Sequence, residues 1–91
     1  MAAYRVEFKK SAKKEFDRLP LRIQGKVIEA LKLLSESPFS ELLQIKKIRG
    51  GESLYRIRVG DYRLVYEVQT AVLWVIVIKI GHRREVYRGL Q

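Results

Sequence analysis

Three arginines, Arg56, Arg58 and Arg63, have the residue type and spacing to hold a phosphate group. They flank Gly60 and Asp61, a pair typical of the two-residue turn of a β-hairpin. Such a turn places Arg58 opposite Arg63, and alternation of side chains puts Arg56 on the same face. Like charges directly opposite one another destabilise a strand pair. An anionic partner would offset that cost, and guanidinium groups bind phosphate with paired hydrogen bonds.

One face of this hairpin is apolar and the other is charged. This difference indicates that the apolar face packs against a core and that the charged face is open. An ordinary solvated sheet face gives the same alternation, but the cross-strand arginines favour a functional face. Glu67 shares the arginine side, and we expect it to pair with a neighbouring arginine rather than to act in catalysis. The predicted core side carries Tyr55, Ile57, Val59, Tyr62, Leu64 and Tyr66.

A second candidate site follows in residues 81–88, which read GHRREVYR. If this segment is helical, Arg83 and Tyr87 lie one turn apart on one face. A tyrosine among arginines can stack on an unpaired base while a neighbour such as Arg84 contacts the RNA backbone. His82 is a candidate for proton transfer, because its unperturbed pKa is about 6.5. The alternative is a solvated basic segment with Tyr87 covering the core.

The chain of 91 residues has a net charge of +9, from 19 Lys and Arg against 10 Asp and Glu. This balance is typical of nucleic-acid-binding proteins; an acidic protein segment and an anionic lipid are the alternatives. Lipid is disfavoured because no strongly amphipathic basic helix with bulky aromatic residues is present. One basic run either forms a solvated helix face or contacts the RNA backbone. Its members are Lys9, Lys10, Lys13, Lys14 and Arg18, and the four lysines are the candidate RNA contacts.

Other residue types exclude several functions. The chain has no cysteine and one histidine, so thiolate chemistry and a histidine-rich metal site are excluded. We find no clustered carboxylates and no Gly-rich phosphate loop, and we therefore expect no metal and no cofactor. The longest apolar stretch, residues 71–78, is too short to span a bilayer. We expect one cytoplasmic domain over residues 1–91 that does not bind membranes.

The hydrophobic periodicity predicts an α+β fold, with a mostly antiparallel sheet in the order β-α-α-β-β-β and a two-helix hairpin packed on one face. The first helix is predicted over 12–18 with Ser11 as its N-cap, and the second over 21–36. Ile28 is expected to widen the apolar stripe of the second helix. Strands are predicted over 3–8, 54–59, 62–68 and 72–80, with a further short strand over 45–49.

Several motifs in this order resemble the RelE/ParE superfamily of bacterial and archaeal toxins over nearly the whole chain. They read YRVEF from Tyr4, YRIR from Tyr55, YRLVY from Tyr62 and GHRREVY from Gly81. The resemblance implies a RelE-like fold and a toxin of a type II toxin-antitoxin system. It also implies ribosome-dependent, metal-independent cleavage of mRNA by the ribose 2′-hydroxyl. The implied partner is a cognate acidic, RelB-like antitoxin, which would form a toxin–antitoxin hetero-oligomer.

The resemblance also implies roles for single residues. Arg63 corresponds to the arginine that clamps the scissile phosphate, and Arg83 to a general acid or charge stabiliser. Tyr87 corresponds to the tyrosine that stacks on the substrate base. Arg56 and Arg58 stand where the best-studied relatives carry lysines.

The two substitutions by arginine affect the mechanism more than the fold. An arginine effectively cannot lose its proton, so either the general base lies elsewhere or the reaction proceeds without one. His82, Tyr87 and Glu67 are the candidates, and the sequence does not choose among them. Two rivals keep the same fold: a ParE-like toxin that inhibits DNA gyrase, and a basic binding module without catalysis. The gyrase class does not need the arginine cluster, so the cluster favours RNA cleavage.

Overall fold

The computed structural model describes residues 3–40, 43–48 and 53–82, in which two helices cover one face of a five-stranded sheet. The predicted α+β class is confirmed, and β2 is the further short strand predicted over 45–49. Neither described helix is long and apolar enough to cross a membrane. In chain order the elements are β1 (Arg5–Phe8), α1 (Lys10–Asp17), α2 (Leu21–Glu36), β2 (Lys46–Lys47), β3 (Leu54–Val59), β4 (Tyr62–Gln69) and β5 (Trp74–His82).

The strands lie in the order β1-β5-β4-β3-β2. All neighbours are antiparallel except β1 and β5, which run parallel with Val6 beside Val75 and Phe8 beside Val77. The first strand therefore joins the sheet next to the last one. This placement cannot be read from the alternating pattern of residues 3–8, because the pairing partner lies at the far end of the chain.

The β3–β4 hairpin has the predicted register. Arg58 lies opposite Arg63, and Ile57 lies opposite Leu64. Gly60 has a φ of 61°, and Leu73 is the one described non-glycine residue with a positive φ, so Asp61 has none. A positive φ at only the first central residue is the requirement of a type II′ turn, which glycine meets without steric cost.

The core lies between the helices and the sheet face that they cover, which we call the helix face. Leu34 of α2 and Leu64 of β4 have no exposed surface, and Phe8 and Phe16 pack edge to face beside them, with ring centroids 5.5 Å apart. The buried residues of α2 include the predicted apolar stripe. They are Ile23, Val27, Ala30, Leu31 and Leu34.

Two details of the helix prediction are wrong. Helix α1 begins at Lys10, and its N-cap is Lys9, without a side-chain cap. The chain leaves β1 at Phe8, and the backbone of Lys9 already accepts a bond from the amide of Lys13 at 2.9 Å, so Ser11 lies inside the helix. Ile28 is 40% exposed. It follows Val27 by 100° around the helix, which turns it away from the sheet.

Strand β5 contains a bulge that exchanges its two faces. Val65 of β4 pairs with Lys79, but the next residue, Tyr66, pairs with Val77, so Ile78 is an extra residue. One extra residue shifts the alternation of every later side chain to the other face. As a result Gly81, and not His82, lies beside the hairpin arginines.

Two glycines give a paired prediction about stability. We expect Gly60→Ala to destabilise the fold by about 1–2 kcal/mol, because the positive φ disfavours any Cβ. Gly25→Ala should instead stabilise it by about 0.5–1 kcal/mol, since Gly25 lies inside α2 and a Cβ there meets nothing within 4 Å. Urea unfolding of the two variants and the wild type measures both changes. If the two substitutions changed the free energy of unfolding in the same direction, the turn assignment would be contradicted.

Candidate phosphate-binding site

The sheet face opposite the helices carries Arg56, Arg58 and Arg63, and we call it the arginine face. Strands β3 and β4 position these residues, because the apolar side chains between them pack toward the helices. Arg58 donates from Nε to the carbonyl of Gly60 at 3.2 Å, and Arg63 donates from Nη1 to the carbonyl of Tyr62 at 3.3 Å. Each guanidinium has five N–H donors, so both retain donors for an anion.

The arginines line a shallow concavity of about 110 Å³. Strand β2 forms one wall of it, because Lys46 lies opposite Arg56 in register. Sequence reasoning missed Lys46. The signal was its place in a short basic strand, but only the register shows that Lys46, and not Lys47, faces the arginines. The concavity is lined by Gln44, Lys46, Arg56, Ile57, Arg58 and Arg63.

Long side chains surround an apolar centre on this face. Val65 has no exposed surface and lies in register between Arg56 and Lys79. Glu67, expected to pair with an arginine, accepts a hydrogen bond from Gln69 at 3.2 Å. In the described parts of the chain, no three His, Asp or Glu side chains are grouped as a metal site.

His82 does not reach the arginine face. It pairs with Tyr62, whose side chain lies on the helix face, and the two rings meet edge to face with centroids 5.9 Å apart. The bulge in β5 causes this placement, since unbroken alternation from Val75 would have put residue 82 on the other side. The structure therefore separates this candidate for proton transfer from the arginines.

The basic run at the start of α1 is also separate from the arginines. All four lysines are exposed, but α1 packs on the helix face through Ala12. Lys13 donates to Asp17 at 2.6 Å, and its Nζ lies 5.6 Å from the ring of Phe16. The lysines of the run are Lys9, Lys10, Lys13 and Lys14. The other candidate residues, Arg83, Arg84 and Tyr87, lie outside the described residues.

A buried tyrosine connects the strand of Arg63 to the end of α2. Tyr66 has no exposed surface, and its hydroxyl donates to the carbonyl of Pro38 at 3.0 Å. The ring of Tyr55 stacks on it with centroids 5.9 Å apart. Burial, and to a lesser degree the nearby Tyr55, raises the pKa of the Tyr66 hydroxyl well above its usual range. The neutral, donating form is thus the folded form.

This tyrosine predicts a loss of stability in alkali. The folded state disfavours ionisation of Tyr66, whereas an unfolded tyrosine ionises near pH 10. Its contribution is therefore fully present below about pH 10 and declines as the pH rises further. We expect Tyr66→Phe to cost about 1 kcal/mol at pH 7, through the lost hydrogen bond, and to reduce the alkaline decline. Urea unfolding at pH 7 and above pH 10 measures both effects. If the stability of the wild type and of Tyr66→Phe declined equally between these pH values, the role given to the Tyr66 hydroxyl would be contradicted.

Two helices on one side of a five-stranded sheet make up a fold that matches solved structures of RelE toxins. The crystal structure of the archaeal RelE-RelB complex from Pyrococcus horikoshii matches with a TM-score of 0.80 and 29% identity, over 94% of this chain and all of that one. The model of the family described as the ParE toxin of the type II toxin-antitoxin system, parDE, matches residues 6–87. The chain belongs to this family.

Among curated relatives, the similarity is to proteins named RelE. The mRNA interferase toxin RelE of Escherichia coli strain K12 is 34% identical over 89 residues, which covers 93% of this chain and 90% of the relative. Toxin RelE3 of Methanocaldococcus jannaschii is also 34% identical over 89 residues, covering 91% and 94%. The protein is thus a RelE-like toxin of the type II toxin-antitoxin class.

Proposed function

We propose that this toxin is an endoribonuclease that cuts mRNA on the ribosome in the cytoplasm. The observation that carries the proposal is the concavity where Arg56, Arg58 and Arg63 converge on one face. Similarity to a relative named an mRNA interferase supports it. Cross-strand arginines cost stability unless an anion occupies the site, and a phosphodiester is an anion that their donors fit.

The proposed reaction is an internal displacement at phosphorus. The ribose 2′-oxygen forms a bond to the neighbouring phosphorus, the bond to the 5′-oxygen breaks, and a 2′,3′-cyclic phosphate remains. Arg63 holds the scissile phosphate, while Arg56 and Arg58 stabilise the charge that develops on its oxygens. These contacts strengthen as the phosphate becomes pentavalent, so they accelerate the reaction rather than only bind the substrate.

Proton transfer completes the reaction. The 2′-hydroxyl releases a proton and the leaving 5′-oxygen takes one up. Glu67 lies on the arginine face and Tyr87 belongs to the segment that follows β5, so these two remain the candidate bases. We assign Arg83 to charge stabilisation at the leaving oxygen, and Tyr87 also to stacking on the substrate base. No step uses a metal or cofactor.

The ribosome is proposed to position the mRNA, because a shallow face without a deep pocket gives little orientation by itself. Holding the 2′-hydroxyl in line with the leaving oxygen is worth several orders of magnitude in rate. Weak cleavage of free RNA is therefore the expected behaviour of this protein.

An acidic antitoxin is the proposed protein partner, by analogy with the RelE-RelB complex of Pyrococcus horikoshii. With a net charge of +9, the toxin should bind such a partner more weakly as salt rises. Titration of the toxin with the protein encoded by the neighbouring gene, at two salt concentrations, tests this. Affinity that does not change with salt would contradict an acidic neutraliser.

Mapping of mRNA ends in a translating extract tests the proposed function. Wild-type protein should produce new ends at codons in the decoding site, and Arg63→Ala and Arg83→Ala should remove them. Intact mRNA together with blocked DNA supercoiling would instead support the gyrase-directed rival. No effect in either assay would support the second rival, a binding module without catalysis.

A further inference from the structure

The arginine face carries its cations in two rows that cross the strands. One row contains Arg58 and Arg63, which pair directly, and ends at Gly81 on β5. The other row contains Lys46 and Arg56 on neighbouring strands. Arg56 and Arg58 are two residues apart on β3, so the rows lie about 7 Å apart along the strand. That separation is close to the distance between neighbouring phosphates of an extended nucleic-acid strand.

Lys46 is the cation that completes the second row. It is exposed, and in the described parts of the chain no carboxylate lies within ion-pair distance of its amine. Lys79 lies at the other end of the row, but its Nζ is 3.9 Å from a carboxylate oxygen of Glu15 at the edge of β5. Of the two lysines at the ends of this row, Lys46 on β2 is therefore the one whose charge faces the concavity.

We propose that the arginine face binds two consecutive phosphates of single-stranded RNA, with Lys46 as the added backbone-binding residue. The row of Arg63 holds the scissile phosphate, and the row of Lys46 holds its neighbour. The assignment of the scissile phosphate rests on the proposed function, whereas the two-phosphate subsite rests on the register of β2, β3 and β4.

The electrostatics of the sheet favour this arrangement. Each row opposes two cations on neighbouring strands, and each opposition costs stability that one phosphate can offset. A lysine amine is a compact, hydrated charge that contacts phosphate without reading a base. Gln44, which also lines the concavity, adds a neutral donor. Lys46 therefore fixes the path and register of the RNA backbone and leaves base preference to other residues.

Lys47 provides a matched control. It is adjacent in sequence, equally a lysine and also exposed, but it pairs with Tyr55 and so faces away from the arginines. The probe is a 2′-O-methyl RNA oligonucleotide, which has no free 2′-hydroxyl and cannot be cut. A second version has every other phosphate replaced by a neutral methylphosphonate, so that no two consecutive phosphates are charged.

Binding is measured by fluorescence anisotropy at low salt for the wild type, Lys46→Ala, Lys46→Arg and Lys47→Ala. We expect Lys46→Ala to weaken binding of the fully charged oligonucleotide about fivefold, with a salt slope smaller by about 0.7. The same variant should bind the alternating oligonucleotide as the wild type does. Lys46→Arg should restore binding, and Lys47→Ala should change it little.

Three results would overturn the subsite: equal losses for Lys46→Ala on both oligonucleotides, equal losses for Lys46→Ala and Lys47→Ala, or no wild-type preference for the fully charged strand. The ribonuclease function is judged separately by cleavage of ribosome-bound mRNA. If the protein cleaves mRNA but Lys46→Ala does not weaken oligonucleotide binding, only the two-phosphate subsite is contradicted. If the oligonucleotides bind as predicted but mRNA is not cleaved, only the ribonuclease function is contradicted.

Discussion

Replacement of Arg63 by alanine should lower the rate of mRNA cleavage on programmed ribosomes by about 10²- to 10³-fold, the usual effect of removing one preorganised donor to a transition-state oxygen. Arg63 is half-buried on β4, and one of its donors is fixed to the carbonyl of Tyr62. Its remaining donors are therefore held in place before the substrate binds. Single-turnover kinetics with excess toxin isolates the chemical step from binding.

Two further variants make this result specific. Arg63→Lys keeps the charge but loses the planar pair of donors, so it should recover only part of the rate. Arg22→Ala removes an exposed arginine from α2, in the layer on the other side of the sheet, and should cleave as the wild type does. If Arg63→Ala cleaved within a few-fold of the wild type, the phosphate clamp on this face would be wrong.

Leu34→Ala should destabilise the fold by about 2–5 kcal/mol, a large part of the stability of a small domain. Leu34 has no exposed surface and belongs to the core cluster that joins α2 to the sheet. The cavity left by its side chain lies between α2 and the helix face of the sheet. The arginine face is the other side of that same sheet, so the site depends on this packing.

The neighbouring residue is the control. Leu33 is 38% exposed on the same helix, and Leu33→Ala should cost less than about 1 kcal/mol. Urea unfolding of both variants measures the difference, because helix propensity changes equally in the two. Similar losses would show that the burial of α2 is assigned to the wrong face.

The hairpin was predictable from sequence because its information is local. A two-residue turn fixes the register, and alternation then fixes which face each side chain takes. This was enough to pair Arg58 with Arg63 and to put Tyr66 in the core. The second helix was predictable for the same reason, since its apolar spacing and the proline that follows Ser37 define it locally.

The features that were missed depend on distant or irregular pairing. The bulge at Ile78 has no sequence signature in a continuously apolar strand, yet it decides that His82 faces the helices. The two-residue strand of Lys46 is too short for alternation to show a face. The parallel placement of β1 depends on a partner at the other end of the described chain.

That placement of β1 has a consequence for when the protein becomes toxic. Contacts between residues far apart in sequence form late in folding, and a growing chain folds from its N-terminal side. Strand β5 separates β1 from β4 and supplies Gly81 beside Arg63, so the sheet that carries the arginines is not complete until β5 has left the exit tunnel of the ribosome. On the proposed function, we therefore expect a chain still in synthesis not to cleave mRNA on the ribosome that makes it.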